Sequence, residues 1–194
     1  MRYTWTLVTL MSATVWAADS YLVVQLSNHS AATRIEIAGA KSEASRLLSV
    51  VGMKIRWVDC GRNETACPES NDPRTFVVSI EEMIPARLVR SLGYSTPLTE
   101  RANRAVINYP RIASMPGVSV ECLIGTVIVH ELAHLLFRSS DHGPGLMKVE
   151  WSPEDMVRIG QSRLKFSPEQ AARLHDGLRS RAESETILAL NRDR

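Results

Sequence analysis

Three ionisable side chains fall within five residues at His130-Glu131-Leu132-Ala133-His134, inside the apolar run Leu123–Phe137. A run of that composition and length predicts a buried helix. Residues four apart on a helix share a face, so His130 and His134 project side by side as a pair of imidazole ligands. Glu131 is turned away by one residue, close to an ion held there but badly placed as a third ligand from the same helix. Its carboxylate is left free to act as a base toward an activated water. Burying two imidazoles and a carboxylate among Val127, Ile128, Val129, Leu132, Leu135 and Leu136 is costly unless they have partners. That cost favours a zinc site over ordinary core histidines.

The chain beyond this helix supplies further candidates. Arg138-Ser139-Ser140-Asp141-His142-Gly143-Pro144-Gly145 is rich in turn formers and must end the helix. Catalytic zinc keeps three protein ligands and leaves a position for water, and His142 is placed to be the third. Met147 follows two residues after Gly145. A helical H-E-x-x-H, a late histidine and a nearby methionine together resemble the metzincin metallopeptidases. The resemblance implies His130, His134 and His142 as ligands of one catalytic Zn²⁺, Glu131 as general base, and Met147 in a turn beneath the site. It also implies a peptide or protein substrate lying extended along a sheet edge, for which Asn103–Tyr109 is the strand nominated here. The usual spacing, H-E-x-x-H-x-x-G-x-x-H, places glycine where Phe137 stands and the third histidine two residues before His142. Ser139, Ser140 and Asp141 can build the longer turn through their own side chains. Asp141, Glu150 and Glu154 are carboxylates that could replace His142, as in other zincins.

These residues need a scaffold. Tyr21–Leu26, Met53–Asp59, Thr75–Ile80 and Asn103–Tyr109 read as strands. A helix is expected between the first two, with convincing spacing from about Lys41 and a stop at Gly52. Glu81–Leu98 carries Pro85 and Gly93 among short apolar groups and reads as irregular. Ser152-Pro153-Glu154-Asp155 and Ser167-Pro168-Glu169-Gln170 repeat one helix-start chemistry, with a Ser cap, Pro in the first turn and a side-chain acceptor three residues on. The expected fold is α/β (α+β). A twisted, mostly parallel sheet packs on helices with the active-site helix beneath it, as in zincins, followed by a small helical C-terminal part. One domain, 18–194, is expected, its N-terminal part running to about 138 and its C-terminal part covering 139–194.

The chain has 194 residues, enough for one substantial core. Met1-Arg2, the uncharged apolar stretch to Trp16 and the small Ala17 read as a signal peptide, 1–17, cleaved on export to the periplasm or medium. That stretch is short of the roughly 20 apolar residues needed to span a bilayer, and no later segment is read as a span. Loss of Arg2 leaves a net charge near +1, which gives no reason to invoke nucleic acid. Arg158, Arg163, Arg173, Arg179 and Arg181 alternate with acids and are expected on a solvated face. Export makes a disulfide between Cys60 and Cys67 the expected use of the short polar loop they enclose. Cys122 is left over and is expected to be a buried thiol, although sequence alone leaves connectivity open. His29 and His175 are read as packing or surface residues. A secreted zinc-binding or interaction module without turnover is the alternative function; the presence of Glu131 argues against it, because a purely structural site needs no base.

Overall fold

The computed structural model describes residues 21–61, 67, 69–98 and 103–192. The expected signal segment, 1–17, lies outside the described residues. Among the described residues, five strands form one sheet in the order β2-β1-β3-β5-β4. They are β1 (Tyr21–His29), β2 (Lys54–Asp59), β3 (Thr75–Glu81), β4 (Gly93–Ser95) and β5 (Arg104–Asn108). The first three and β5 run parallel, and β4 is antiparallel to β5. Strand residues alternate faces, so Leu22, Val24 and Leu26 of β1 bury one side. Phe76, Val78 and Ile80 of β3, with Ala105 and Ile107 of β5, do the same. All join one apolar core with the buried faces of α1 (Arg34–Ser49) and α3 (Val120–Phe137). The architecture is the expected mostly parallel α/β arrangement, completed by α2 (Tyr109–Ala113), α4 (Pro153–Gly160) and α5 (Pro168–Arg192).

Several sequence readings are corrected by this arrangement. β5 is an interior strand, flanked by β3 and β4, so the nominated edge Asn103–Tyr109 has no free edge. Among the described residues, the edge on this side of the sheet is β4, three residues within the stretch read as irregular. α1 begins at Arg34, earlier than the apolar spacing suggested, because Thr33 and Glu36 form a reciprocal capping box. Its first turn leaves Ile35 85% exposed, which is why the periodicity was not visible there. By length and apolarity alone Val120–Phe137 could cross a bilayer, contrary to the reading that no later segment could; in the fold it is the buried central helix, enclosed by the sheet and other helices.

α5 docks on the C-terminal end of α3 through two residues one turn apart. An added Cβ at Gly177 would meet the Leu136 carbonyl oxygen at 2.2 Å, so only glycine permits this approach. Arg181, expected on a solvated face, instead reaches inward: its guanidinium donates to the Leu135 carbonyl at 2.9 Å and the Pro73 carbonyl at 3.2 Å. Carbonyls in the last turn of a helix lack intrahelical partners, and a cation there also suits the helix dipole. Gly177→Ala is expected to cost about 1–3 kcal/mol, the usual range for overpacking a close contact. A lowered urea midpoint with an unchanged slope would show it.

The minor histidines and the cysteines fall into place. His29 Nδ1 lies 3.0 Å from Glu81, and His175 Nε2 lies 2.6 Å from the Val51 carbonyl, so both serve local packing. Cys60 and Cys67 form a disulfide with Cα atoms 4.9 Å apart. Cys122 is a free thiol and is only partly buried, because it lies in the first turn of α3, before that helix is fully enclosed.

Candidate metal centre and cleft

α3 presents His130 and His134 from its buried face, 8% and 5% exposed. The helix ends at Phe137, and Arg138 takes a left-handed conformation at φ 49°, ψ 41°. That is the helix-stop geometry glycine usually supplies. The reversal therefore occurs one residue beyond the expected glycine position, in a residue that bears a side chain. Ser139-Ser140-Asp141 then carry the chain back, with the Asp141 amide donating to Ser139 Oγ at 2.9 Å. His142 arrives beside the helical pair, its ring centroid 5.4 Å from that of His130 and 4.7 Å from that of His134. One ligand atom from each of the three lies within 4.8 Å of the others. Among the described residues, Asp141, Glu150 and Glu154 do not join this group.

The hydrogen bonds to the rings define their chemistry. His130 Nδ1 donates to the Leu146 carbonyl at 2.9 Å, and His134 Nδ1 donates to the Ser139 carbonyl at 2.9 Å. A carbonyl can only accept, so each neutral ring carries its proton on Nδ1 and a bare lone pair on Nε2. Those two Nε2 atoms converge to 3.1 Å. Two lone pairs aimed at each other in a buried site repel unless a cation stands between them. Nitrogens about 2.1 Å from a tetrahedral zinc lie roughly 3.4 Å apart, close to what these side chains already adopt. Burial pushes the His130 pKa down to about 4 and lowers that of His134, so burial favours in both the neutral ring that a metal requires. The donor set fits zinc.

Glu131 faces another side of the helix, 5% exposed, beneath β4. An added Cβ at Gly93 would lie 3.2 Å from Glu131 Cγ and 2.7 Å from Val127 Cγ1, so the edge strand presses directly on the helix. Burial pushes the Glu131 carboxyl up to about 7, opposed by a hydrogen bond from the Ser95 side chain. A base with a pKa near the working pH is well matched to proton transfer. Ser95 escaped the sequence reading because its stretch carries no alternation.

Leu146 and Met147 form a 3-10 turn with Gly145, and both side chains are buried. Gly145 has φ +64° and lies so close to the Lys165 carbonyl that a Cβ would stand 2.5 Å from it. This turn positions the Leu146 carbonyl for His130, and Met147 packs into the core below. Lys148, next in the chain, binds Asp155 at 2.6 Å. Asp155, 2% exposed, also closes the capping box with Ser152 at the start of α4. Its hydrogen bond from Lys148 opposes the effect of burial and leaves its pKa below the ordinary carboxylate value. A depressed carboxylate contributes stability that is present above its unfolded pKa of about 3.9 and is lost as pH falls through the folded value. Asp155→Asn is expected to lower stability by about 1–3 kcal/mol at pH 7. The difference from wild type should disappear in melts below the carboxylate range; a gap that persists there would contradict the ionic role.

A cleft of about 580 Å³ opens over the three histidines. Its walls come from the segment leading into β4, from β4 itself, from α2 and from the stretch after Met147. Tyr94, Met115, Val127, Trp151 and Met156 make much of it apolar. Trp151 stands edge-on to His130, with ring centroids 5.6 Å apart. Such a volume suits a segment of a larger ligand.

The architecture and this constellation together define a metzincin-like fold whose three histidines fit the zincin pattern. Among solved structures, archaemetzincin from Methanopyrus kandleri is similar, with a TM-score of 0.53 and 15% identity over 85% of this chain and 99% of that one. Metalloproteinase-II from Bacteroides fragilis is also similar, with a TM-score of 0.54 and 12% identity over 82% of this chain and 54% of that one. At the level of sequence, no protein-family model and no curated protein matches the chain.

Proposed function

We propose that the chain is an exported zinc peptidase. The observation that carries this reading is the convergence of two carbonyl-oriented histidines and His142 at one end of a cleft that also contains a buried carboxylate. Zinc held by His130, His134 and His142 supplies Lewis acidity to a substrate carbonyl and to the attacking water. Glu131 accepts a proton from that water and returns it to the leaving nitrogen. Ser95 keeps the Glu131 carboxylate directed by its hydrogen bond. The Leu146 and Ser139 carbonyls hold the imidazoles in the tautomer that presents Nε2. Among the described residues, β4 is paired on one side only, with β5, so its outer backbone edge suits an extended peptide joining the sheet. Met147 acts through packing alone.

Export is supported by the residue pattern of 1–17 and by the Cys60–Cys67 disulfide, which is typical of oxidising compartments. The names of the two similar structures agree with a metallopeptidase reading. The decisive experiment is elemental analysis of the purified protein beside digestion of a peptide library. Stoichiometric zinc with cleavage is expected. Stoichiometric zinc without cleavage would leave a non-catalytic zinc module, and absence of zinc would overturn the site.

A further inference from the structure

Among the described residues, the cleft carries four charged side chains besides the histidines and Glu131, namely Arg90, Arg111, Lys148 and Glu150. Lys148 is engaged by Asp155. Arg90 and Arg111 are exposed, and neither guanidinium has an acidic partner among the described residues. Their backbones, however, are fastened together. Asn108, 3% exposed, donates through Nδ2 to the carbonyls of Val89 at 3.1 Å and Ser91 at 2.8 Å, the two residues flanking Arg90. Its Oδ1 accepts from the Arg111 amide at 3.3 Å. A single buried carboxamide thus spends its hydrogen-bonding capacity on tying the Arg90 segment to the start of α2.

Two acids close to Tyr109, at the start of α2, are already engaged. Glu36 caps α1 and bonds Tyr109, and Glu82 accepts from the Ala31 amide at 2.9 Å. Glu150 comes from the segment after Met147 and has no role in this clamp. Two arginines tethered through their backbones to one cleft, neither ion-paired among the described residues, leave positive charge that an anionic ligand would balance. Guanidinium matches carboxylate through paired N–H donors.

We propose that Arg90 and Arg111 form a carboxylate-binding pair that selects peptides carrying a negative charge beside the scissile bond. The carboxylate is either an acidic side chain or the peptide's own C-terminus. This assignment rests on the peptidase reading above and gives it a substrate class.

The test uses fluorogenic peptides of one sequence in three forms: neutral and amidated, with internal glutamate and amidated, or neutral with a free C-terminus. Wild type is expected to favour at least one charged form by about tenfold in kcat/KM, the scale of a charged hydrogen bond. Which form is favoured identifies the source of the carboxylate. The preference should shrink in about 0.5 M salt, and in Arg90→Gln/Arg111→Gln the ratio should fall toward one. Arg87→Gln, exposed and outside the cleft, should keep the wild-type ratio. Cleavage of all three forms at equal efficiency, or a ratio unchanged in the double variant, overturns the pair. If no form is cleaved, the same peptides are titrated by fluorescence anisotropy. A charge preference in Kd that the double variant loses upholds the pair while the peptidase reading fails, and equal Kd values overturn the pair.

Discussion

Glu131→Gln leaves zinc content unchanged and lowers peptide cleavage by about 10²–10⁴-fold, the usual contribution of a positioned general base. Glutamine keeps the shape of the side chain and the Ser95 contact, yet its amide cannot take a proton. No ligand is lost, because the group able to hold a metal consists of His130, His134 and His142 and does not include Glu131. The fold is not weakened either, since a carboxylate 5% exposed is replaced by a neutral group that costs less to bury. Metal analysis, a melting curve and kcat on one substrate therefore separate the base from the scaffold. Activity near wild type with zinc in place would remove Glu131 from the chemistry.

The second large effect concerns His142. His142→Ala should weaken zinc affinity by well over tenfold, and by more than Asp141→Asn or Glu150→Gln. Loss of a ligand exceeds loss of an outer hydrogen-bond partner, which typically costs about 10–100-fold. His142 is exposed and reaches the site from a loop, whereas its two partners are buried in α3. The variant should consequently keep its fold. Competition with a chromophoric chelator gives the affinities, and an equal or greater loss in Asp141→Asn would move the third ligand to that carboxylate.

The helical pair was legible in the sequence because an i, i+4 spacing on an apolar helix has one geometric outcome. The existence of the four parallel strands was legible for a similar reason, since β-branched runs such as Thr75–Ile80 must be buried somewhere, although their order in the sheet was not. Three features were not. β4 is three residues long and exists only because β5 pairs with it, so nothing local announces it. The role of Arg138 was hidden because a left-handed residue with a side chain is uncommon, and its conformation is imposed by the turn that follows. Arg181 read as one more charge on a mixed face; its burial depends on Gly177 admitting α5 close to the end of α3. Each miss is a tertiary decision overriding a local signal.

The Leu146 carbonyl that fixes His130 comes from well beyond the helix. A growing chain that has completed α3 holds the base and two of its histidines, but lacks both His142 and the acceptor that sets the His130 tautomer. The three-histidine group cannot assemble in this arrangement until synthesis has passed the 3-10 turn and Lys165 has become available to anchor Gly145-Leu146 from behind. Chain order alone thus postpones metal capture by the three histidines until the segment that follows α3 has been made.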